Sequence, residues 1–182
     1  MGSSWIDGAR RVPSPNSDSR NGDTEIHLLV VHSISLPRGK YGKSGGESAI
    51  ERLFTNRLDP SAHPSFAGLA GLRVSSHFLI YRDGELVQFV PLERRAWHAG
   101  ASHWRARERC NDFSIGVELE GVDDATFAPA QYARLAQLVR ALMARLPLRE
   151  FAAHSDVAPG RKRDPGRGFD WRRLLAALGA HH

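Results

Sequence analysis

The chain has 182 residues, 41% of them hydrophobic and 25% charged, with a formal net charge of +5 at pH 7. That length fits one domain with a modest core, and that composition excludes a wholly disordered chain. The absence of any apolar run of roughly 18 residues excludes a transmembrane helix, and a single cysteine, Cys110, excludes an intramolecular disulfide or a metal site of several cysteines.

The opening stretch MGSSWIDGARRVPSPNSDSR lacks a basic segment followed by an apolar one. No secretory signal peptide is therefore expected, and with the lone cysteine this points to a reduced, cytoplasmic setting. Residues 1–25 are polar and read as an extended lead-in packed on a domain spanning 26–182. IHLLVVHSIS (26–35) is a strongly apolar run that reads as a buried strand. The Gly- and Lys-bearing loop 36–46 follows, either a lid or a plain surface loop. GESAIERLFTN (46–56) begins a helix, with Ile50, Leu53 and Phe54 at helical spacing, and 58–72 is irregular or short helix. In 74–91 two β-rich runs flank Arg82-Asp83-Gly84-Glu85, a hairpin signal. FSIGVELEG (113–121) reads as a strand. PAQYARLAQLVRALMARL (129–146) is an amphipathic helix with Pro129 in its first turn and an apolar stripe of Leu135, Leu138, Val139, Leu142 and Leu146. FAAHSDV (151–157) reads as a short strand, and 169–179 as a final helix from Asp170 to Gly179. Strands and helices mix without strict alternation, so the expected fold is α/β (α+β): one domain with a central mixed sheet flanked by helices. No heptad repeat signals an obligate coiled coil, and a monomer is expected.

All of the 25 basic residues except Lys40, Lys43 and Lys162 are arginines. They are scattered, and the clusters Arg105/Arg107/Arg109 and Arg161/Arg163/Arg167 lack regularly interleaved aromatics, which weighs against a nucleic-acid interface. A solvated basic surface accounts for them. So does a pocket for a small substrate with several carboxylates, which arginine grips with paired hydrogen bonds.

Among the nine histidines, His32 ends the first apolar strand and His154 closes another apolar stretch, with Asp164 following in a loop. Two imidazoles and a carboxylate form a catalytic zinc set. The long separation leaves the alternative of a satisfied core histidine and a surface one. Glu118 and Glu120 share one face of their strand while Val117 and Leu119 take the other. They are either the solvated acidic face of an edge strand or a base poised to take a proton from an activated water. Lys162, two residues before Asp164, is either a loop lysine or an oxyanion partner. Cys110 reads as a semi-buried small residue. Trp97-His98 and His103-Trp104 either line a groove or simply pack. The Gly-Lys-Ser at 42–44 lacks the first glycine of a phosphate loop, and no nucleophile elbow occurs.

Taken together, LLVVHSISLP (28–37), LDPSAHPSFA (58–67), LRVSSHFLI (72–80), RDGELVQFVP (82–91), RAWHAG (95–100), RERCNDFSIGVELEG (107–121) and HSDVAPGRKRDPG (154–166) resemble the AmpD-type N-acetyl-anhydromuramyl-L-alanine amidases of bacterial cell-wall recycling. The resemblance implies a mixed sheet related to peptidoglycan recognition domains and phage-type amidases. It implies Zn2+ on His32, His154 and Asp164, a catalytic Glu118 and an active-site Lys162. It further implies substrate contacts at Ser33, Arg73 and Arg109, with His77 and Trp97 as pocket walls or supports behind them. Ser33 departs from the family's usual asparagine, and a hydroxyl cannot supply both the donor and the acceptor of an amide. The implied substrate is a soluble 1,6-anhydromuropeptide, with no nucleic-acid or membrane partner. The alternative is a lytic amidase acting on intact wall, where the corresponding relatives often carry tyrosine in place of Glu118.

Overall fold

The computed structural model describes residues 4–22 and 24–179. His181 and His182, whose origin the sequence leaves open, lie outside the described residues, as do parts of the expected lead-in at 1–3 and 23. The strands are β1 (Arg10–Arg11), β2 (Ser17–Ser19), β3 (Leu28–Ile34), β4 (Phe78–Ile80), β5 (Leu86–Gln88), β6 (Arg94–Ala96), β7 (His103–Trp104), β8 (Arg107–Glu108), β9 (Ser114–Glu120) and β10 (Glu150–Ala153). The helices are α1 (Ala49–Phe54), α2 (Pro129–Met143), α3 (His154–Val157) and α4 (Trp171–Leu178).

Six strands form the expected central mixed sheet in the order β1-β5-β4-β9-β3-β10. Its heart is parallel: β4, β9, β3 and β10 run the same way, and only β4–β5 is antiparallel. Parallel strands are covered on both faces, which explains the nearly unbroken apolar run of β3. Alternation along β9 divides the interior. Ile115, Val117 and Leu119 join Leu29 and Val31 of β3 under α2 and α4, where Leu135, Leu138, Val139, Leu142 and Leu174 close the main core. Each such side chain contributes about 1.5–3 kcal/mol on burial. The opposite face carries two smaller clusters. Leu79, Val87 and Phe89 pack with Ile50, Leu53 and Phe54 of α1. Leu28, Val30 and Ala152 pack with Phe113, Cys110 and Val157. The gap between these two clusters, on one face of β3 and β9, is where polar side chains gather.

Local chemistry sets the element ends. Ser48 Oγ accepts from Glu51 N at 3.2 Å to start α1, and Asp170 Oδ1 accepts from Arg173 N at 3.1 Å to start α4. Gly179 ends α4 at a φ of 80°, a left-handed backbone that glycine adopts without steric cost. Helix α2 begins at Pro129 as expected but stops at Met143, and Arg145 and Leu146 turn back onto the Leu142 carbonyl. The strand expected over 151–157 ends at Ala153, whose N–H donates to Asp156 Oδ2 at 2.8 Å and so turns the chain into α3.

The lead-in carries two strands. β1 adds a parallel edge to the sheet beside β5, and β2 pairs with β6. The Arg10 guanidinium reaches Glu51 of α1 at 2.6 Å and Glu85 at 2.7 Å. Arg20 is mostly buried, and burial lowers its pKa to about 10. It donates to the carbonyls of Asn111, Asp112 and Ser114 at 3.0, 2.8 and 2.9 Å, satisfying the guanidinium where water is scarce.

Candidate metal centre

His32 and Glu118 stand side by side because β3 and β9 are parallel and in register at these two residues. His154 follows immediately after β10, the other neighbour of β3. Asp164 is brought back to them by the loop after α3, which Ser155 N pins by donating to the Asp164 carbonyl at 3.0 Å. Three distant stretches thus converge at the carboxyl ends of adjacent parallel strands, where open sheets place their ligands.

The convergence is tight. His32 Nδ1 and His154 Nδ1 lie 2.9 Å apart, and Asp164 Oδ2 is 3.3 Å from the first and 3.1 Å from the second. A tetrahedral ion with bonds of about 2.0–2.1 Å needs ligand atoms roughly 3.3 Å apart, so the triangle fits a bound metal. Two ring nitrogens and a carboxylate oxygen facing one point are a donor set for a divalent ion of the transition series. Burial, then the neighbouring His154, pull His32 down to about 4, which keeps its ring neutral and able to coordinate. Burial alone would raise the Asp164 carboxyl, but the contacts from His154 and His32 outweigh it and hold the group well below the usual carboxylate range.

Glu118 Oε1 lies 3.9 Å from His32 Nδ1, and its buried Oε2 takes no hydrogen bond among the described residues. Burial, then the Asp164 carboxylate, push its pKa well above 4.5, with Lys162 opposing weakly. The edge-strand alternative fails, since β9 is central and fully buried. Glu120, on the same face, is spoken for: its carboxylate accepts from Gly42 N at 2.6 Å and Arg82 N at 3.2 Å, tying down the 36–46 loop.

A groove of about 240 Å³ opens over the cluster, lined by the polar Ser33, Glu118, His154, Lys162 and Asp164 and by the apolar Leu36, Phe54, Leu69, Leu72 and Trp97. Ser33, Trp97 and Lys162 therefore share the cavity with His154 and Asp164, while His32 lies buried beneath it. Three further residues stand elsewhere. His77 has no exposed surface, and its ring accepts from Gly116 N at 3.1 Å and contacts the Arg94 carbonyl at 3.0 Å, so it cannot touch a substrate and holds β9 to β6 instead. Arg109 is 62% exposed, binds Asp112 at 3.2 Å and lines a separate depression with His103 and Arg161. Arg73 sits between two groove residues, Leu72 and Val74, without lining the groove itself. His98, which the sequence left as either a groove-lining or a packing residue, lines the groove and sits directly behind His32. Its Nδ1 lies 2.9 Å from His32 Nε2, a pairing across 66 residues that no local spacing signals. Trp104 turns away, packing on the third cluster and donating to Glu150.

A His-His-Asp cluster that fits a metal site, beside an unpartnered buried carboxylate on the floor of an open groove, is the arrangement of a hydrolase centre. Residues 22–167 match the family model for N-acetylmuramoyl-L-alanine amidase, and the chain belongs to that family. It is 55% identical over 172 residues to the 1,6-anhydro-N-acetylmuramyl-L-alanine amidase AmpD of Escherichia coli K12, covering 93% of this chain and 92% of that protein. The crystal structure of a selenomethionine AmpD derivative superposes with a TM-score of 0.93 at 52% identity, covering 98% of both chains. The E. coli amidase AmiD, solved with anhydro-N-acetylmuramic acid-L-Ala-D-γ-Glu-L-Lys, superposes with a TM-score of 0.60 at 30% identity over 87% of this chain and 60% of that one. No helix among the described residues is long and apolar enough to cross a membrane.

Proposed function

We propose that this protein hydrolyses the amide between the lactyl group of 1,6-anhydro-N-acetylmuramic acid and L-alanine in soluble muropeptides, as a monomeric, cytoplasmic zinc enzyme of cell-wall recycling. The observation that carries the reading is the free, buried Glu118 oxygen beside three convergent ligand atoms. The name of the 55%-identical relative and the muropeptide bound to AmiD support the substrate.

His32, His154 and Asp164 would hold the zinc. Bound there, the ion supplies Lewis acidity that makes water a nucleophile near neutral pH and polarises the scissile carbonyl. Glu118 does the proton work. Its raised pKa makes it a better acceptor than an ordinary carboxylate, and Oε2 is open to receive the proton of the attacking water. The ammonium of Lys162 faces the negative charge that develops on the carbonyl oxygen. The water oxygen bonds to the carbonyl carbon as the carbon–nitrogen bond breaks, the proton held at Glu118 passes to the departing alanine nitrogen, and the second water proton is shed as the lactyl product ionises to a carboxylate. The apolar wall of Leu69, Leu72 and Trp97 excludes water from one side of the sugar. Ser33 lines the same cavity with a hydroxyl and contributes one polar contact there.

The test is mass spectrometry of products from anhydromuramyl tripeptide and from intact peptidoglycan, each with and without a zinc chelator. Chelator-sensitive release of free tripeptide, with little action on the wall, is the expected result. Preferential cleavage of intact wall would make it a lytic amidase instead. Glu118→Ala is expected to keep zinc and lose about 10²–10⁴ in turnover.

A further inference from the structure

We infer that His98 is a positioning residue for the metal centre: hydrogen-bonded between His32 and Ser114, it fixes the His32 ring in the tautomer that leaves Nδ1 bare. The inference rests on the reading of His32 as a metal ligand.

The argument is one of hydrogen-bond direction. A backbone carbonyl only accepts. The Cys110 carbonyl lies 2.5 Å from Ser114 Oγ, so the serine hydroxyl donates its one hydrogen there. Ser114 Oγ must then accept from its other neighbour, His98 Nε2, at 3.1 Å. A neutral His98 protonated at Nε2 has a bare Nδ1, and that atom faces His32 Nε2 at 2.9 Å. His32 Nε2 therefore carries a hydrogen and donates it, which leaves the lone pair on His32 Nδ1, the atom aimed at His154 and Asp164. One carbonyl thus sets the direction of three side chains in sequence, Ser114, His98 and His32. A histidine ligand whose other nitrogen donates to a fixed partner is held in both tautomer and orientation.

The rest of the structure is built to keep His98 in this place. Its backbone N–H and that of Ala99 both donate to Asn111 Oδ1, at 3.2 and 2.8 Å. Its ring lies flush over β9 at Gly116, where a Cβ would fall 2.5 Å from His98 Cγ, so the seat exists only because residue 116 has no side chain. The next residue serves the second histidine. The Ala99 carbonyl faces His154 Nε2 at 3.4 Å, and Arg161 donates to that carbonyl at 2.6 Å and holds it. The dipeptide His98–Ala99 therefore meets the far nitrogens of both histidines whose Nδ1 atoms converge, the first through a side chain and the second through the backbone.

The experiment measures zinc affinity by chelator competition and ring tautomers by long-range ¹H–¹⁵N NMR of the zinc-loaded protein. His32 and His98 are both expected to be protonated at Nε2. His98→Ala is expected to weaken zinc binding by about 10–100-fold, and His98→Asn, which keeps an acceptor near Nδ1, to recover all but about threefold. Ser114→Ala tests the same chain should His98→Ala fail to fold. It removes the acceptor for His98 Nε2–H, and a His98 population protonated at Nδ1 is expected to appear. His98 protonated at Nδ1 in the unmodified protein, zinc affinity unchanged in His98→Ala, or unchanged His98 tautomers in Ser114→Ala would each overturn the inference. His32→Ala separates the two readings: if it binds zinc as tightly as the unmodified protein, the ligand assignment itself has failed.

Discussion

The smallest change that tests the architecture of the metal centre is one methyl group, Gly116→Ala. The backbone of Gly116 lies outside the left-handed region, so alanine meets no conformational strain there. Replacing glycine at a compatible site usually stabilises a protein by about 0.4–1 kcal/mol through the unfolded chain. Here the new methyl would sit 2.5, 2.7 and 2.8 Å from Cγ, Nδ1 and Cδ2 of the His98 ring. Carbon contacts are comfortable at about 3.5–4.0 Å, so the ring must retreat by about 1 Å. His98 Nδ1 is 2.9 Å from His32 Nε2, and a retreat of that size along the bond takes it past the ~3.5 Å limit of a hydrogen bond, while one across the bond tilts it away from linear. Overpacking of this kind costs about 1–3 kcal/mol, and after the entropic gain a net loss of about 1–2 kcal/mol remains. Urea unfolding of the metal-free variant should show that loss, and chelator competition should show zinc affinity lowered about 10–100-fold. A variant that unfolds at the unmodified midpoint and binds zinc equally well would refute both the packing and the coupling.

Arg10→Met removes paired hydrogen bonds to Glu51, a side chain only 2% exposed, while Tyr81 still donates to it. Because Arg10 is itself 38% exposed, the loss is set at about 1–2 kcal/mol in urea unfolding, with partial recovery in Arg10→Met/Glu51→Gln; no loss would mean that this ion pair contributes nothing to stability. Glu120→Ala strips the acceptor from Gly42 N, and hydrogen exchange at Gly42 should accelerate by about tenfold or more; unchanged protection would show that the 36–46 loop is held by other contacts. Cys110 is fully buried, and burial raises its thiol pKa above 9.0. The folded state therefore keeps a proton that the unfolded chain releases near that pH, so this group's contribution to stability declines as pH rises beyond it. A thiol reagent at pH 8 should label only unfolded protein, and rapid labelling of the native state would contradict the burial.

The parts of this molecule that announced themselves in sequence are those whose local period matches their burial. β3 is an apolar run because it is covered on both faces, and α2 shows its stripe because one side meets the sheet. β1 and β2 did not, because strands of two and three residues have no period and owe their existence to partners more than 70 residues away. Glu118 and Glu120 misled pattern reasoning for a physical reason. Two carboxylates on one strand face normally signal water, but here one is buried with an open oxygen beside the histidine cluster and the other is satisfied by two backbone N–H groups. The convergence of His32, His154 and Asp164 came from the family resemblance, since spacings of 122 and 10 residues carry no local rule. The partnership of His98 with His32 was invisible. Its only trace in the sequence is a glycine in the middle of a strand, which reads as a weakness until the ring above it is seen.

The strand order has a consequence for how the protein comes into being. β10 is the sheet's outer strand on the His32 side and the last of its strands to be synthesised, and His154 directly follows it. A chain emerging from the ribosome can pair β3 with β9, and so set His32 beside Glu118, before residue 154 has emerged. At that stage one imidazole and one carboxylate face each other without the means to grip an ion. The three candidate ligand atoms come together only once the final strand has docked and the loop bearing Asp164 has folded back.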